Sequence, residues 1–272
     1  MKNHLQQAET KTATMNDGCK IAYRHYLNGD KPTLVLSNSL GTTQNMWDGQ
    51  LAAFSKHFNL VTYDKRGHGD SDVFPGAYSL DRLGNDVIDL IDFLGLQKIH
   101  FCGVSIGGMT AQWLAAFCPE RIERLVISNS AAVIKPSSMW QERILHVREH
   151  GLASIWSGVL ARWVSERFSK QEPDAVKHMQ AMFESVNAQG YASCCAAIRD
   201  MDMRNIASLN KLKTLIIAGT QDLATPVADS EFLLSQYSDA SLLELDAGHL
   251  SNIEQTQSFN EHVLAFLLDS DS

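Results

Sequence analysis

No stretch of the 272-residue chain is apolar over the roughly 18 to 20 consecutive residues that a membrane-crossing helix requires, which sets an integral membrane protein aside. The opening residues through Gly18 are polar and contain no hydrophobic segment of a secretory leader, so no signal peptide is expected and the cytoplasm is the expected setting. Cysteine is scarce. Cys19, Cys102, Cys118, Cys194 and Cys195 form an odd set with no C-x-x-C pair, which argues for reduced, mostly buried thiols and against a disulfide framework or a sulfur-ligated metal. Positive charge is in deficit: 23 Lys and Arg face 31 Asp and Glu, a formal net charge of −8, where a nucleic-acid binder would show a basic face. The zinc string H-E-x-x-H, the phosphate loop G-x-x-x-x-G-K-[ST] and the dinucleotide fingerprint G-x-G-x-x-G do not occur. The chain is therefore expected to bind neither nucleic acid nor membrane, and to work without a metal or a cofactor.

What is present is an ordinary folding composition. A hydrophobic content of 44% excludes intrinsic disorder, and no internal repeat points to a solenoid or coiled coil. From residue 20 onward, short β-branched runs alternate with longer helical periods, the signature of an α/β fold with a mostly parallel sheet flanked by helices. Strands are expected at 20–26, 33–38, 60–63, 99–103, 125–128, 214–218 and 241–245, and helices at 47–56, 80–94, 106–117, 228–237 and 255–268. Leu80, Leu83, Val87, Leu90, Ile91 and Leu94 recur at three- and four-residue spacing and give one of those helices an apolar face. Between about 135 and 204 only helical patterns occur, broken by Gly151, Pro173 and Gly190. Set between two sheet strands, this interval must pass over the sheet as a helical cap. The expected division is a core of 1–134 and 207–272 with a cap at 135–206. The cap is nearly balanced in charge and is the least acidic part of the chain, which hints at an anionic substrate and equally suits solvated helix faces.

Gly103-Val104-Ser105-Ile106-Gly107 carries the strongest chemical signal. It follows an apolar strand and opens a helix, the context in which G-x-S-x-G exposes a nucleophilic serine on a sharp turn. The helix N-terminus beneath the serine favours developing negative charge. A serine needs a base, and the base needs an orienting group. Of the histidines downstream, His146, His150 and His178 fall in the cap and His262 in the last helix. His249 follows the 241–245 strand directly, at the sheet edge where the serine emerges, and is the expected base. Asp222, in the loop after the 214–218 strand, is the expected acid. Asp246 competes with it, but lies too close in sequence to His249 to orient the imidazole easily.

The oxyanion of acyl transfer requires two donors. The backbone N–H of Ile106 supplies one, and that of Leu40, in the turn-prone loop Ser37-Asn38-Ser39-Leu40-Gly41-Thr42, is expected to supply the other. The polar turn at 64–71 reads as structural, with His68 a turn stabiliser.

These strings together resemble the α/β-hydrolase superfamily over essentially the whole chain: D-x-R-G-H-G-x-S at 64–71, G-x-S-x-G-G at 103–108, G-x-x-D-x-x-x-P at 219–226, and Gly248-His249. Within it, the stretches 36–42, 120–126, 217–220 and 247–254 are most similar to the 3-oxoadipate enol-lactonases. Asn38-Ser39 stands where many members of the superfamily carry His-Gly, which disfavours a generic esterase. The resemblance implies hydrolysis of 3-oxoadipate enol-lactone to 3-oxoadipate during bacterial breakdown of aromatic compounds. Ser105 would be the nucleophile or, alternatively, His249 would activate water directly. The implied substrate is a small lactone carrying a carboxylate, which Arg143, Arg162, Trp140 or Trp163 of the cap could receive, although plain packing explains each of these equally well. A carboxylesterase, a carbon–carbon bond hydrolase or a cofactor-free perhydrolase of the same fold are alternatives, and a ligand receptor that retains the triad is a further one. No oligomeric state is read from the sequence.

Overall fold

The computed structural model describes residues 8–269. Residues 1–7, which belong to the polar opening stretch read as lacking a secretory leader, lie outside the described residues, as do 270–272. Eight strands form one sheet: β1 (Lys11–Thr14), β2 (Lys20–Tyr26), β3 (Thr33–Ser37), β4 (Asn59–Tyr63), β5 (Ile99–Val104), β6 (Ile122–Ser128), β7 (Thr214–Gly219) and β8 (Ala240–Leu245). Their order is β1-β2-β4-β3-β5-β6-β7-β8. The pairings of β1 with β2 and of β2 with β4 are antiparallel, and those from β4 through β8 are parallel. Strands β3, β4, β5 and β7 are buried at every residue, which is why they read as continuous apolar runs: helices cover both faces. Strand β1 is absent from the sequence reading. Its four residues bury only Ala13, so no two-residue alternation marks it, and it is held as an edge strand by its hairpin with β2.

The helices are α1 (Asp48–Phe54), α2 (Leu80–Phe93), α3 (Ile106–Phe117), α4 (Ser137–His150), α5 (Trp156–Trp163), α6 (Glu166–Gln171), α7 (Pro173–Ser185), α8 (Ala188–Asp200), α9 (Val227–Gln236), α10 (Ser251–Glu254) and α11 (Thr256–Leu268). Among the described residues, no helix is long and apolar enough to cross a membrane. Helix α2 shows how spacing becomes packing. Ser79 caps it by accepting the Arg82 N–H at 3.2 Å, and Leu80, Leu83, Val87, Leu90 and Ile91 form its buried stripe.

Helices α4 to α8 enter between β6 and β7, the interval read from the sequence as the cap. Helices α4 and α8 pack on each other, and Trp156, Trp163, Phe183 and Tyr191 interlock through ring contacts of 5.5–5.8 Å. At the foot of α8, backbone meets backbone. A Cβ placed on Gly190 would lie 2.1 Å from the Gly67 carbonyl oxygen, so only glycine allows the cap to seat there.

Register places the functional loops. Ser37 pairs with Gly103, Val104 with Ser128, Ser128 with Ile217, and Gly219 with Leu245. The carboxyl ends of β3, β5, β6, β7 and β8 are thus level, and the loops that follow them gather at one edge beneath the cap.

Candidate active site

One residue separates β5 from α3, and Ser105 makes that turn at φ 60°, ψ −119°. Such a conformation costs a non-glycine residue about 1–3 kcal/mol and persists only when the surroundings enforce it. Here the Ser105 N–H donates to the Ser128 carbonyl at 2.9 Å, and the Ser105 carbonyl accepts from the Ser130 hydroxyl and the Met109 N–H, each at 2.9 Å. The flanking glycines are steric necessities. A Cβ on Gly103 would lie 2.2 Å from the Gly107 carbonyl oxygen, and one on Gly107 would lie 2.2 Å from that of Ser37.

Ile106 is the first residue of α3, where a helix leaves its N–H without an intrahelical acceptor and its dipole is positive. The Leu40 N–H is aimed by its own peptide. The Ser39 carbonyl accepts the Thr42 hydroxyl at 2.8 Å and the Thr42 N–H at 3.3 Å. In a trans peptide the Leu40 N–H points the opposite way. On the far side of Leu40, the Gly41 N–H donates to His68 Nε2 at 3.0 Å. His68, read from the sequence as a turn stabiliser, thus also holds this neighbouring loop. Burial, with Lys65 adding to it, brings the His68 pKa down to about 3, so the ring is a neutral acceptor.

Asp222 Oδ2 lies 2.8 Å from His249 Nδ1. The same oxygen accepts the Thr225 hydroxyl at 2.8 Å and the Asn129 amide at 3.1 Å, while Oδ1 accepts the Ala224 and Thr225 N–H groups at 2.7 and 3.0 Å. Burial opposes the Asp222 charge, but the His249 ring and the Thr225 donors outweigh it and hold the carboxyl below its ordinary range. Asp246, the competing acid, faces outward and pairs with Arg167 at 2.7 Å. Asn129 has no counterpart in the sequence reading. At φ 47° it turns back from the end of β6, gives its amide to Asp222 and Gly248, and takes the Ser128 and Ser251 hydroxyls on its oxygen.

Ser105, Leu40 and His249 line a cavity of about 160 Å³ whose roof and far wall come from the cap. Trp140, Arg143, Arg162 and Trp163, the four candidates for the substrate carboxylate, all line it too. Ile106 and Asp222 stand just behind this wall, adjoining Ser105 and His249. The Arg143 guanidinium lies 5.3 Å over the Trp140 ring and donates to the Tyr191 hydroxyl at 3.4 Å. Among the described residues, neither Arg143 nor Arg162 pairs with a carboxylate. Burial, reinforced by Arg143, lowers the Arg162 pKa, so an anion between the two guanidinium groups would relieve both. The Trp140 indole N–H is buried without a partner among the described residues. Lys135 and Tyr191 also line the cavity and were not singled out in the sequence. Lys135 was legible only as one of the cap's charges, and nothing marked Tyr191.

Comparison with known proteins gives a concordant result. The family model described as alpha/beta hydrolase fold matches residues 32–256. The chain is 41% identical over 247 residues to 3-oxoadipate enol-lactonase 2 of Acinetobacter baylyi, covering 91% of this chain and 92% of that one. It is likewise 41% identical to 3-oxoadipate enol-lactonase 1 of the same organism, over 86% of this chain and 88% of that one. The crystal structure of the enol-lactonase from Burkholderia xenovorans LB400 superposes with a TM-score of 0.93 at 39% identity, covering 95% of this chain and all of that one.

Proposed function

The chain belongs to the α/β-hydrolase fold family and is a hydrolase, and from that premise we propose that it opens 3-oxoadipate enol-lactone to 3-oxoadipate in bacterial catabolism of aromatic compounds. The observation that carries this reading is one small cavity with Ser105 and His249 on its core side and, on its cap side, two arginines that pair with no carboxylate among the described residues. A lactone bearing one carboxylate has both groups such a cavity calls for. The names of the 41%-identical relatives support the choice of ring.

In this mechanism the Ser105 hydroxyl adds to the lactone carbonyl while its proton passes to His249, whose ring Asp222 holds in the productive tautomer. The Leu40 and Ile106 N–H groups take the oxyanion, and removing one such donor typically costs about 3 kcal/mol of transition-state stabilisation. The ring C–O bond then breaks, and His249 returns the proton to the departing enol oxygen. The enol ketonises, and water deprotonated by His249 releases the acyl group from Ser105. Throughout, the substrate carboxylate is held by Arg143 and Arg162, with the Trp140 indole N–H as a further donor. The functional unit is a core of 1–134 and 207–272 with 135–206 as cap. All five cysteines are free, which suits a cytoplasmic setting.

The test is hydrolysis of enzymatically generated 3-oxoadipate enol-lactone by wild type and Ser105→Ala, with p-nitrophenyl acetate as control ester. Rapid lactone loss that the substitution abolishes is the expected result. Hydrolysis of the ester without the lactone would overturn the substrate assignment and leave the nucleophile standing.

A further inference from the structure

The proposed chemistry leaves one buried charge unused. Lys65 follows β4, is sealed from solvent, and forms no ion pair with a carboxylate among the described residues. Its neighbour Asp64 is engaged elsewhere, accepting the Gln44 N–H at 2.6 Å and the Asp70 N–H at 3.1 Å. The Lys65 ammonium instead donates to two backbone carbonyls, that of Asn38 at 2.5 Å and that of Ser39 at 3.4 Å. An interior ammonium without a carboxylate is among the costliest arrangements in a fold. A methionine of nearly the same length would fill the space without that cost.

The two carbonyls belong to the loop that carries Leu40. The Ser39 carbonyl and the Leu40 N–H are opposite ends of one peptide unit. A cation at the carbonyl end draws electron density along the unit and makes the N–H at the other end a stronger donor. It also fixes the plane of the peptide from below, as His68 fixes the next peptide through the Gly41 N–H. We infer that Lys65 is a positioning residue for the oxyanion hole, its ammonium both aiming and polarising the Ser39–Leu40 peptide. The inference rests on the acyl-transfer reading of Ser105 but not on which ester is the natural substrate.

The charge on Lys65 is itself labile. Burial brings its pKa down to about 8, with Cys194 and Asp64 pulling the other way. Of the other groups facing it, His68 is held neutral, and burial pushes the Cys194 thiol of α8 up to about 12. Burial raises Asp64, and Tyr63, hydrogen-bonded to Ser37, is raised as well. Asp86 is closed in an ion pair with Arg66 at 2.6 Å. Lys65 is therefore the member of this set expected to change charge between pH 7 and 10.

The experiment compares wild type, Lys65→Met and Ser105→Ala on p-nitrophenyl acetate, with phenylboronic acid as a probe whose adduct with the nucleophile places an anionic oxygen in the oxyanion hole. Lys65→Met is expected to lower kcat by about 10- to 100-fold, a partial loss of one donor, with KM within about twofold. Its inhibition constant for phenylboronic acid should weaken by the same factor while Tm holds or rises. Wild-type kcat should fall above about pH 8, and that alkaline limb should vanish in Lys65→Met. Wild-type kcat and boronate affinity in Lys65→Met would overturn the inference, as would a reduced Tm with unchanged boronate affinity, the mark of a structural role. Should Lys65→Met fail to fold, Lys65→Gln takes its place, and wild-type kcat and boronate affinity in that variant overturn the inference. Full activity in Ser105→Ala would instead overturn the reading on which the inference rests.

Discussion

The Glu254 carboxylate accepts the backbone N–H of Ser165 at 2.9 Å and that of Gly248 at the same distance. A single buried side chain therefore binds the loop of His249 to the segment linking α5 and α6, and the Ser165 hydroxyl donates to its second oxygen. Beside this contact, the Leu250 N–H donates to the Trp163 carbonyl at 2.7 Å, so cap and His249 loop are joined twice within a few residues.

Glu254→Ala leaves two N–H groups buried without an acceptor and should destabilise the protein by about 2–4 kcal/mol. Thermal denaturation would register this as a clear fall in Tm, and kcat should drop as the His249 loop loosens. Glu254→Gln, which retains one acceptor oxygen, should lie between the two. A Tm for Glu254→Ala within a degree of wild type would contradict the bridging role.

Asp222→Asn keeps the shape of the site while presenting a donor to His249 Nδ1 in place of an acceptor. The expected loss in kcat is on the order of 10⁴-fold with little change in KM. Asp246→Asn, at the solvent-facing Arg167 pair, should leave kcat within about twofold, since exposed pairs contribute about 0–1 kcal/mol. Comparable losses in the two variants would reverse the assignment of the acid.

Ser105, Asp222 and His249 each occupy a short string whose local backbone geometry is their reason for being there: a glycine-flanked elbow and two strand-end turns. Asn129 and Glu254 act across 93 and 89 residues of chain, on Asp222 and Ser165, and no local pattern encodes such partners. Strand β1 was missed for a related reason, since with one inward residue it owes its existence to its pairing with β2 rather than to its own periodicity. The helical interval over the sheet was legible as an absence of strand pattern, whereas the walls it presents to the cavity depend on how α4, α5 and α8 cross.

Removing cap cations should separate binding of charge from chemistry. Arg143→Ala and Arg162→Ala are each expected to raise KM for the carboxylate-bearing lactone by about 10- to 100-fold, the worth of a charge-assisted hydrogen bond. Turnover of p-nitrophenyl acetate, which carries no carboxylate, should change little. Steady-state kinetics on both substrates checks this, and parallel losses on the two would point to collapse of the cavity instead.

Acid should weaken the fold once pH falls below the ordinary histidine range, with Asp229, which burial raises to about 6, offsetting part of the loss. Burial lowers the pKa of His68 to about 3 and that of His100 to about 4. Unfolded, both would titrate near an ordinary histidine value of about 6.5. As pH falls below that value the unfolded chain gains protons that the native protein refuses, so stability is full above about 6.5 and declines toward 4. Each histidine contributes a slope of about 1.4 kcal/mol per pH unit within its window. Urea denaturation between pH 7.5 and 4.5 measures the slope, and His68→Gln should reduce it. A slope in His68→Gln equal to that of wild type would rule out a buried neutral His68.

The bare contact between Gly67 and Gly190 limits how such an enzyme can be remade. Because no side chain intervenes there, nothing can be trimmed or lengthened to tilt the roof, and any substitution at either glycine drives a carbon into the opposing backbone. Together with the Glu254 bridge at the other end, this makes the height of the chamber a constant of the scaffold. New substrates would then be admitted by changing its lining, at positions such as Trp140, Arg143, Val159 and Ile198, and because Trp140, Val159 and Ile198 are also buried core residues, such changes bear on packing as well as selectivity.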